Sequence, residues 1–198
     1  MLQTERVALR ARHDEDIPVL QAELYNDIAT RSRADTRPWL PIPPGAPSPY
    51  AVADAPADVA FFSVVDTATG ELAGEALLWG VDTHNRTAHL GLALRPAFRG
   101  RGLAGEALTV LCRYGFTVRG LNRLQVDTLA DNLAMVAAAR RAGFALEGTL
   151  RRSAWVCGAF EDEVVLGLLA EEWRADRPAD VWTGGQPAGQ TGQAGQAQ

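Results

Sequence analysis

Hydrophobic and polar positions follow two different periods along the chain and predict alternating strands and helices. Short apolar or alternating runs predict strands at residues 6–11, 61–66, 71–82, 88–96, 124–129, 145–156 and 161–170. Apolar residues spaced three and four apart predict helices at residues 14–34, 102–118 and 132–142. The segments TATG and CGAF are short enough to close hairpins between neighbouring strands. The pattern indicates one mixed α/β (α+β) domain.

Two stretches depart from this pattern. Residues 37–56 contain seven prolines together with Trp39 and Tyr50, which excludes a regular helix and predicts a loop. Such a loop either packs over a binding site or is an exposed connection between helices. Residues 176–198 are rich in Gly, Gln and Ala, so we expect a disordered tail after a domain that spans residues 1–175.

Composition narrows the functional classes. The 198-residue chain has a net charge of −5, which argues against binding to nucleic acid or to an anionic membrane surface. All 19 basic residues are Arg, so neither a Schiff-base lysine nor a phosphate-loop lysine is present. The two Cys and three His lack metal-ligand spacing, and no metal is expected. Without a signal peptide or an apolar membrane span, a cytoplasmic protein is expected.

The segment LRPAFRGRGLA, residues 94–104, carries the most specific chemistry. Gly100 and Gly102 permit a sharp turn and a close approach of the backbone to a ligand. The first N–H groups of the helix that follows have no partner within it and favour an anion, and Arg99 and Arg101 add positive charge. The segment is therefore either a pyrophosphate cradle or a plain strand-to-helix turn with two solvated arginines.

Three blocks of sequence resemble one known family. Arg99, Gly102 and Ala104 fit the pattern Arg/Gln-x-x-Gly-x-Gly/Ala within AHLGLALRPAFRGRGLAGEAL. The other blocks are LQVDTLADNLAMVAAARRAGFALEGTLR and WVCGAFEDEVVLGLLAEEW. Together they resemble the GNAT acyl-CoA-dependent N-acyltransferases, and among these the ribosomal-protein-alanine N-acetyltransferases. The resemblance covers roughly Val7 to Trp173.

The resemblance implies the GNAT fold, a mostly antiparallel sheet that is flanked by helices and splays between the strands of Leu94 and Val126. It implies that the pantetheine arm of acetyl-CoA lies in this split along Leu92, Ala93 and Leu94. The pyrophosphate would rest on the cradle, which comprises Arg99, Gly100, Arg101, Gly102, Leu103 and Ala104. Asn132 would hydrogen-bond the donor and can also cap its helix. Relatives are often dimers, so a homodimer is one expectation.

The implied reaction is direct attack of an amine on the thioester in a ternary complex, which requires a base. The family commonly has Glu where this chain has His89, and imidazoles change charge near neutral pH. His89 is therefore the first candidate, or a packed strand residue; Glu75 and Asp127 are the others. The family usually has Ser at the position of Met135, where a hydroxyl serves the leaving thiolate, and Met has no such group.

Acceptor specificity is expected from Trp39, Tyr50 and Trp155, which either line the acceptor site or fill the core. The expected acceptor is a primary amine, on a protein N-terminus or on a small molecule. Two other functions stay open. One is a non-catalytic sensor of acyl-CoA, which the residues at positions 89 and 135 suggest. The other is a partner-binding protein whose Pro-rich loop does the work.

Overall fold

The centre of the molecule is an eight-stranded sheet with the strand order β1-β2-β3-β4-β5-β6-β8-β7. The computed structural model describes residues 2–35, 37–52 and 57–175. The strands are β1 (Leu2–Gln3), β2 (Val7–Arg10), β3 (Ala60–Asp66), β4 (Leu72–Asp82), β5 (Thr87–Leu94), β6 (Arg123–Leu129), β7 (Ala145–Val156) and β8 (Ala159–Leu169). In this sheet β5 and β6 are parallel and the other neighbours are antiparallel. The predicted α/β class and splayed, mostly antiparallel sheet are confirmed.

Five helices flank the sheet in the described part of the chain. They are α1 (Asp16–Leu20), α2 (Ile28–Ala34), α3 (Leu103–Arg113), α4 (Leu133–Arg141) and α5 (Ala170–Ala175). Single π-helical turns extend α1 through Gln21–Tyr25 and α3 through Tyr114–Val118. None of the helices in these residues is long and apolar enough to span a membrane.

The prediction of a single helix over residues 14–34 is wrong, because the helix is interrupted at Asn26 and Asp27. The Asp27 carboxylate accepts a hydrogen bond from the backbone N–H of Thr30 (3.2 Å) and so begins a second helix, α2. Asp and Asn side chains compete with helical hydrogen bonds in a helix interior but stabilise a helix start. The predicted tail, residues 176–198, and residues 53–56 of the Pro-rich loop lie outside the described residues.

The two faces of the sheet are packed differently. Helices α3, α4 and α5 cover one face over the main core, where Leu108, Leu111 and Cys112 are fully buried. The other face carries a smaller cluster of Leu20, Leu24, Tyr25 and Tyr50, from α1, its π-helical turn and the Pro-rich loop. Full burial of a leucine side chain contributes about 1.5–3 kcal/mol, so the first face supplies most of the stability.

The sheet splits between its two parallel strands. β5 and β6 pair only at Thr87 with Arg123, Ala88 with Leu124 and His89 with Gln125. Beyond His89, β5 stays paired with β4 up to Leu94, and β6 stays paired with β8. His89 therefore stands at the vertex of a V whose two limbs are β4–β5 and β6–β8–β7.

Candidate active site

The loop before α3 has the backbone conformation of an anion cradle. Gly100 and Gly102 have φ angles of +73° and +80°, which side chains with a Cβ adopt only under strain. No described side chain caps α3, so its first N–H groups face this loop. Leu103 is buried beneath the turn and anchors it, while Ala104 is half-buried against the main core. These features fit a pyrophosphate group.

Arginines surround the cradle. The Arg101 guanidinium lies over the Phe98 ring at 5.0 Å and is 3.7 Å from the Asp66 carboxylate. Arg99 Nε donates a hydrogen bond to the carbonyl of Leu94 (2.9 Å), at the end of β5. Both side chains are exposed despite these contacts, as expected of groups that can turn towards a bound phosphate.

Helix α2 crosses the open end of the V and is tied to both limbs. Arg99, which follows the β5 limb, lies 3.4 Å from the Thr30 hydroxyl of α2. Arg33 of α2 forms an ion pair with Asp131, which follows the β6 limb (2.6 Å). α2 also contacts β7. The helix therefore bridges the two limbs at the open end of the split.

His89 and Asp127 meet at the vertex. The imidazole Nδ1 lies 2.7 Å from the Asp127 carboxylate, across the two parallel strands, and the Trp79 ring stacks on the imidazole with centroids 4.3 Å apart. About a third of the His89 side chain is exposed (33%). Burial raises the pKa of Asp127, but hydrogen bonds from His89 and Gln125 outweigh burial and hold that pKa below its usual range. Asp127 is therefore an ionised carboxylate that accepts a hydrogen bond from the protonated Nδ1 of His89.

Glu75 faces the same side of the sheet but has a different partner. Its carboxylate accepts a 2.8 Å hydrogen bond from Arg12, whose side chain is only 1% exposed. Arg12 also donates to the carbonyls of Tyr50 (3.2 Å) and Phe62 (3.4 Å). Burial raises the pKa of Glu75, and the Arg12 charge opposes that rise. Glu75 lies opposite Ala93 on β5, four residues or about 13 Å along the strand from His89.

Asn132 caps α4. Its Oδ1 accepts from the backbone N–H of Met135 (3.3 Å), and its Nδ2 donates to the Thr128 hydroxyl (3.0 Å). Met135 packs against the main core. Both ends of the Asn132 amide are therefore engaged within the protein.

The three aromatic candidates are not brought together. Tyr50 is buried in the smaller cluster, and Trp39 packs beside it, 6.3 Å from the Tyr25 ring. Ala93 of β5 packs against the same cluster, while Leu92 and Leu94 pack against the main core. Trp155 is 61% exposed and stacks edge-to-face on Phe160 near the β7–β8 hairpin. It points away from the face of the sheet that carries Asp127, since its strand neighbours are buried with Leu129 on that face.

Sequence reasoning missed Arg12, Trp79, Arg123 and Gln125. Arg123, Gln125 and Asp127 are polar residues two apart on one strand, so their common face was readable from the alternation. The partners of Arg12 and Trp79 were not readable, because they belong to other strands. Among the described residues no three His, Cys, Asp or Glu side chains lie close enough together to hold a metal ion.

Comparisons with known proteins agree with this geometry. Residues 6–145 match the family described as the Acetyltransferase (GNAT) domain. The YdaF protein of Bacillus subtilis (strain 168) is 32% identical over 108 residues, which are 54% of this chain and 59% of that protein. The [ribosomal protein uS5]-alanine N-acetyltransferase of Escherichia coli (strain K12) is 24% identical over 187 residues, 89% of this chain and 94% of that protein.

The solved structures give the same fold. The spermidine N-acetyltransferase of Vibrio cholerae, crystallised with CoA and spermine, superposes with a TM-score of 0.72 at 20% identity. The superposition covers 86% of this chain and 99% of that chain. At this identity the likeness establishes the splayed sheet and its flanking helices.

Proposed function

Since the chain belongs to the GNAT acetyltransferase family, we propose that it acetylates a primary amine with His89 as the general base. The family membership makes the protein an N-acetyltransferase whose acyl donor is acetyl-CoA. The observation that carries the base assignment is the His89–Asp127 pair at the vertex of the split, 2.7 Å apart. No other described carboxylate is paired with an imidazole within the V.

The pair supplies the proton transfer that the reaction needs. A carboxylate only accepts hydrogen bonds, so Nδ1 of His89 carries a proton, and in the neutral imidazole Nε2 keeps its lone pair. As the amine nitrogen attacks the thioester carbonyl carbon, Nε2 of His89 takes a proton from that nitrogen. The carbon–sulfur bond then breaks, and CoA leaves as a thiolate. A general base contributes about 10²–10⁴-fold to such a rate.

The backbone supports the other steps. β5 leaves the backbone of residues 90–94 unpaired by any described strand on the side of the split, so the pantetheine arm can lie there like an added strand. A backbone N–H at this edge, near Leu94, is the candidate donor to the developing oxyanion. Met135 packs against the core where a hydroxyl would serve the thiolate, so water is the proton source for that group.

The acceptor is an amine on a protein N-terminus or on a small molecule. A protein acceptor is supported by the near full-length similarity to the enzyme named for ribosomal protein uS5. It is also supported by residues 132–148, which resemble the sequence typical of the ribosomal-protein-alanine branch. Support for a small polyamine is the likeness to the spermidine enzyme. We place the chain nearer the ribosomal-protein-alanine branch, because that similarity extends along almost the whole sequence.

The test begins with calorimetric titration of acetyl-CoA, with ATP and NAD as controls. We expect one-to-one binding of acetyl-CoA that Gly102→Glu abolishes, because the substitution adds a negative charge to the loop proposed to hold the pyrophosphate. Gly158→Glu is the matched control: its glycine also has a positive φ (+102°) and open space around it, but it lies in the β7–β8 hairpin.

Release of free thiol is then measured with a peptide that begins with alanine, with spermidine and with free amino acids. Acetyl-CoA binding without thiol release for any amine would favour the sensor function, which the Met at position 135 suggests. Failure to bind acetyl-CoA would overturn the proposal.

A further inference from the structure

A row of hydrogen-bonded side chains crosses the face of the sheet from β7 to His89. Arg123 donates to Glu147 of β7 (2.6 Å) and to the Gln125 side-chain oxygen (3.1 Å). Gln125 Nε2 donates to Asp127 (2.8 Å), and Asp127 pairs with His89. We call Arg123, Gln125 and Asp127 the β6 row. Alternate residues of a strand share one face, which is why the row is continuous.

The neighbouring strands make room for this row. The register of β7 on β8 shifts between Leu146 and Gly148, and Glu147 lies in that irregularity. Between β6 and β7, Gly167 of β8 has no side chain. A Cβ at Gly167 would lie 2.2 Å from Glu147 Oε1 and 2.7 Å from a terminal nitrogen of Arg123. The Arg123–Glu147 ion pair therefore occupies the space that any other residue at position 167 would fill.

The hydrogen bonds of the row can run in one direction only. A guanidinium has donors and no acceptor, so the Gln125 oxygen faces Arg123 and the Gln125 amide nitrogen faces Asp127. The Asp127 carboxylate only accepts, so it takes a proton-bearing nitrogen from His89. Nε2 of His89 is the nitrogen left with a lone pair.

We propose that Arg123 and Gln125 are positioning residues that set the tautomer and orientation of the His89 base. The inference rests on the proposed function, since it assigns residues that act through His89 and Asp127. A purely structural role explains the row poorly. Arg123 and Glu147 are 26% and 39% exposed, and ion pairs with that much exposure add little to stability.

Gln125→Glu is the decisive variant. It keeps the size of the side chain and strengthens its pairing with Arg123, but it places an acceptor where Asp127 needs a donor. We expect kcat to fall about 10–100-fold, the size found for outer hydrogen-bond partners of metal-bound histidines. Gln125→Met should lower kcat by a similar factor, because Met cannot donate a hydrogen bond to Asp127. Neither variant should change the dissociation constant for acetyl-CoA. If the row were merely structural, Gln125→Glu would behave like the wild type.

The tautomer itself is measured by ¹⁵N NMR at a pH at which imidazoles are neutral, with His89→Gln to assign the signal. We expect a protonated Nδ1 in the wild type and a mixture of tautomers in Gln125→Glu. The control for kcat and folding is Gln3→Met, which makes the same substitution as Gln125→Met but on the exposed edge strand β1. An unchanged tautomer with unchanged kcat in Gln125→Glu would overturn the inference.

The two proposals fail in different ways. If His89→Gln leaves kcat unchanged, the base assignment is wrong, whatever Gln125 does. If His89→Gln abolishes turnover while both Gln125 variants retain it, the base assignment stands and the positioning role is wrong. Gly167→Ala gives an independent check, because it displaces the Arg123–Glu147 pair without altering Gln125, Asp127 or His89. We expect a smaller fall in kcat than for Gln125→Glu, in the same direction.

Discussion

Glu75 on β4 and Asp127 on β6 flank β5 on the same face of the sheet, and their partners give them different roles. Glu75 is bound to Arg12, a guanidinium that stays charged at every accessible pH and is itself held by two backbone carbonyls. Asp127 is bound to His89, an imidazole whose second ring nitrogen can accept a proton from a substrate.

The partner, rather than the carboxylate itself, therefore distinguishes the structural pair from the reactive one. Arg12 is buried, Glu75 is mostly covered and the two neutralise each other, so removal of either leaves an uncompensated charge. His89 and Asp127 are both partly exposed to the split, where an amine can reach the imidazole. Five single substitutions test this contrast, and their expected effects decrease from His89→Gln to Trp79→Leu.

His89→Gln should reduce kcat/KM by about 10²–10⁴-fold, because the variant has no group that takes up the amine proton. Asp127→Asn should cause a loss of similar order, since the Asn amide can donate to Nδ1 and favour the wrong tautomer. Thiol release under steady-state conditions measures both, and calorimetry checks that acetyl-CoA still binds. Full activity in His89→Gln would show that a residue other than His89 is the general base.

Glu75→Gln should lower the stability of the protein rather than its kcat. The free energy of unfolding should fall by about 3–5 kcal/mol, because Arg12 stays buried without its counter-charge. The folded fraction should keep its kcat. Urea unfolding gives the stability, and the double variant Arg12→Met/Glu75→Met should recover most of the loss. A large fall in kcat in folded Glu75→Gln would show that the contrast with Asp127 is wrong.

Asp16 is a second structural carboxylate and makes the pH dependence testable. It is buried and accepts hydrogen bonds from Arg10, Ser63 and the backbone N–H of His13. Burial raises its pKa, but these bonds outweigh burial and hold the pKa well below its usual range.

A carboxyl with a depressed pKa stabilises the fold above its unfolded pKa of about 3.9, and this contribution declines as the pH falls further. Asp16→Asn should therefore cost about 2 kcal/mol at neutral pH. The difference from the wild type should shrink as the pH falls from about 5 towards 2. Urea unfolding across that range measures the effect, and a difference that grows on acidification would contradict it.

Trp79→Leu should have the smallest effect. Stacking of this kind is worth about 0.5–1.5 kcal/mol, so loss of the support for the His89 ring should lower kcat by about 2–12-fold. Trp155→Leu is the matched control, because Trp155 lies near the hairpin on the other face and should leave kcat unchanged. Equal effects from the two variants would mean that the Trp79 stack does not orient the base.

Local secondary structure was predicted well because each element depends on residues close together in the sequence. The strands and the helices α3 and α4 follow the apolar periods, and the tight turn before α3 follows from Gly100 and Gly102. Asn132 was recognised as a helix cap, and its side chain makes that bond. The error at Asn26–Asp27 was local too, since that pair favours a helix start over a helix interior.

Residues close together in the sequence were enough to predict the fold class, the family and the tight turn before α3, since periodicity, turn residues and glycine φ angles act over a few residues. Only the tertiary structure decided the partners. His89 and Asp127 are 38 residues apart, and Arg12 and Glu75 are 63 apart. His89 and Asp127 meet because of strand register, and a slip of one residue would turn either side chain to the other face of the sheet. Arg12 lies just after β2 and reaches Glu75 of β4 past β3. Register depends on how α3 packs as the crossover between β5 and β6, which no local pattern encodes.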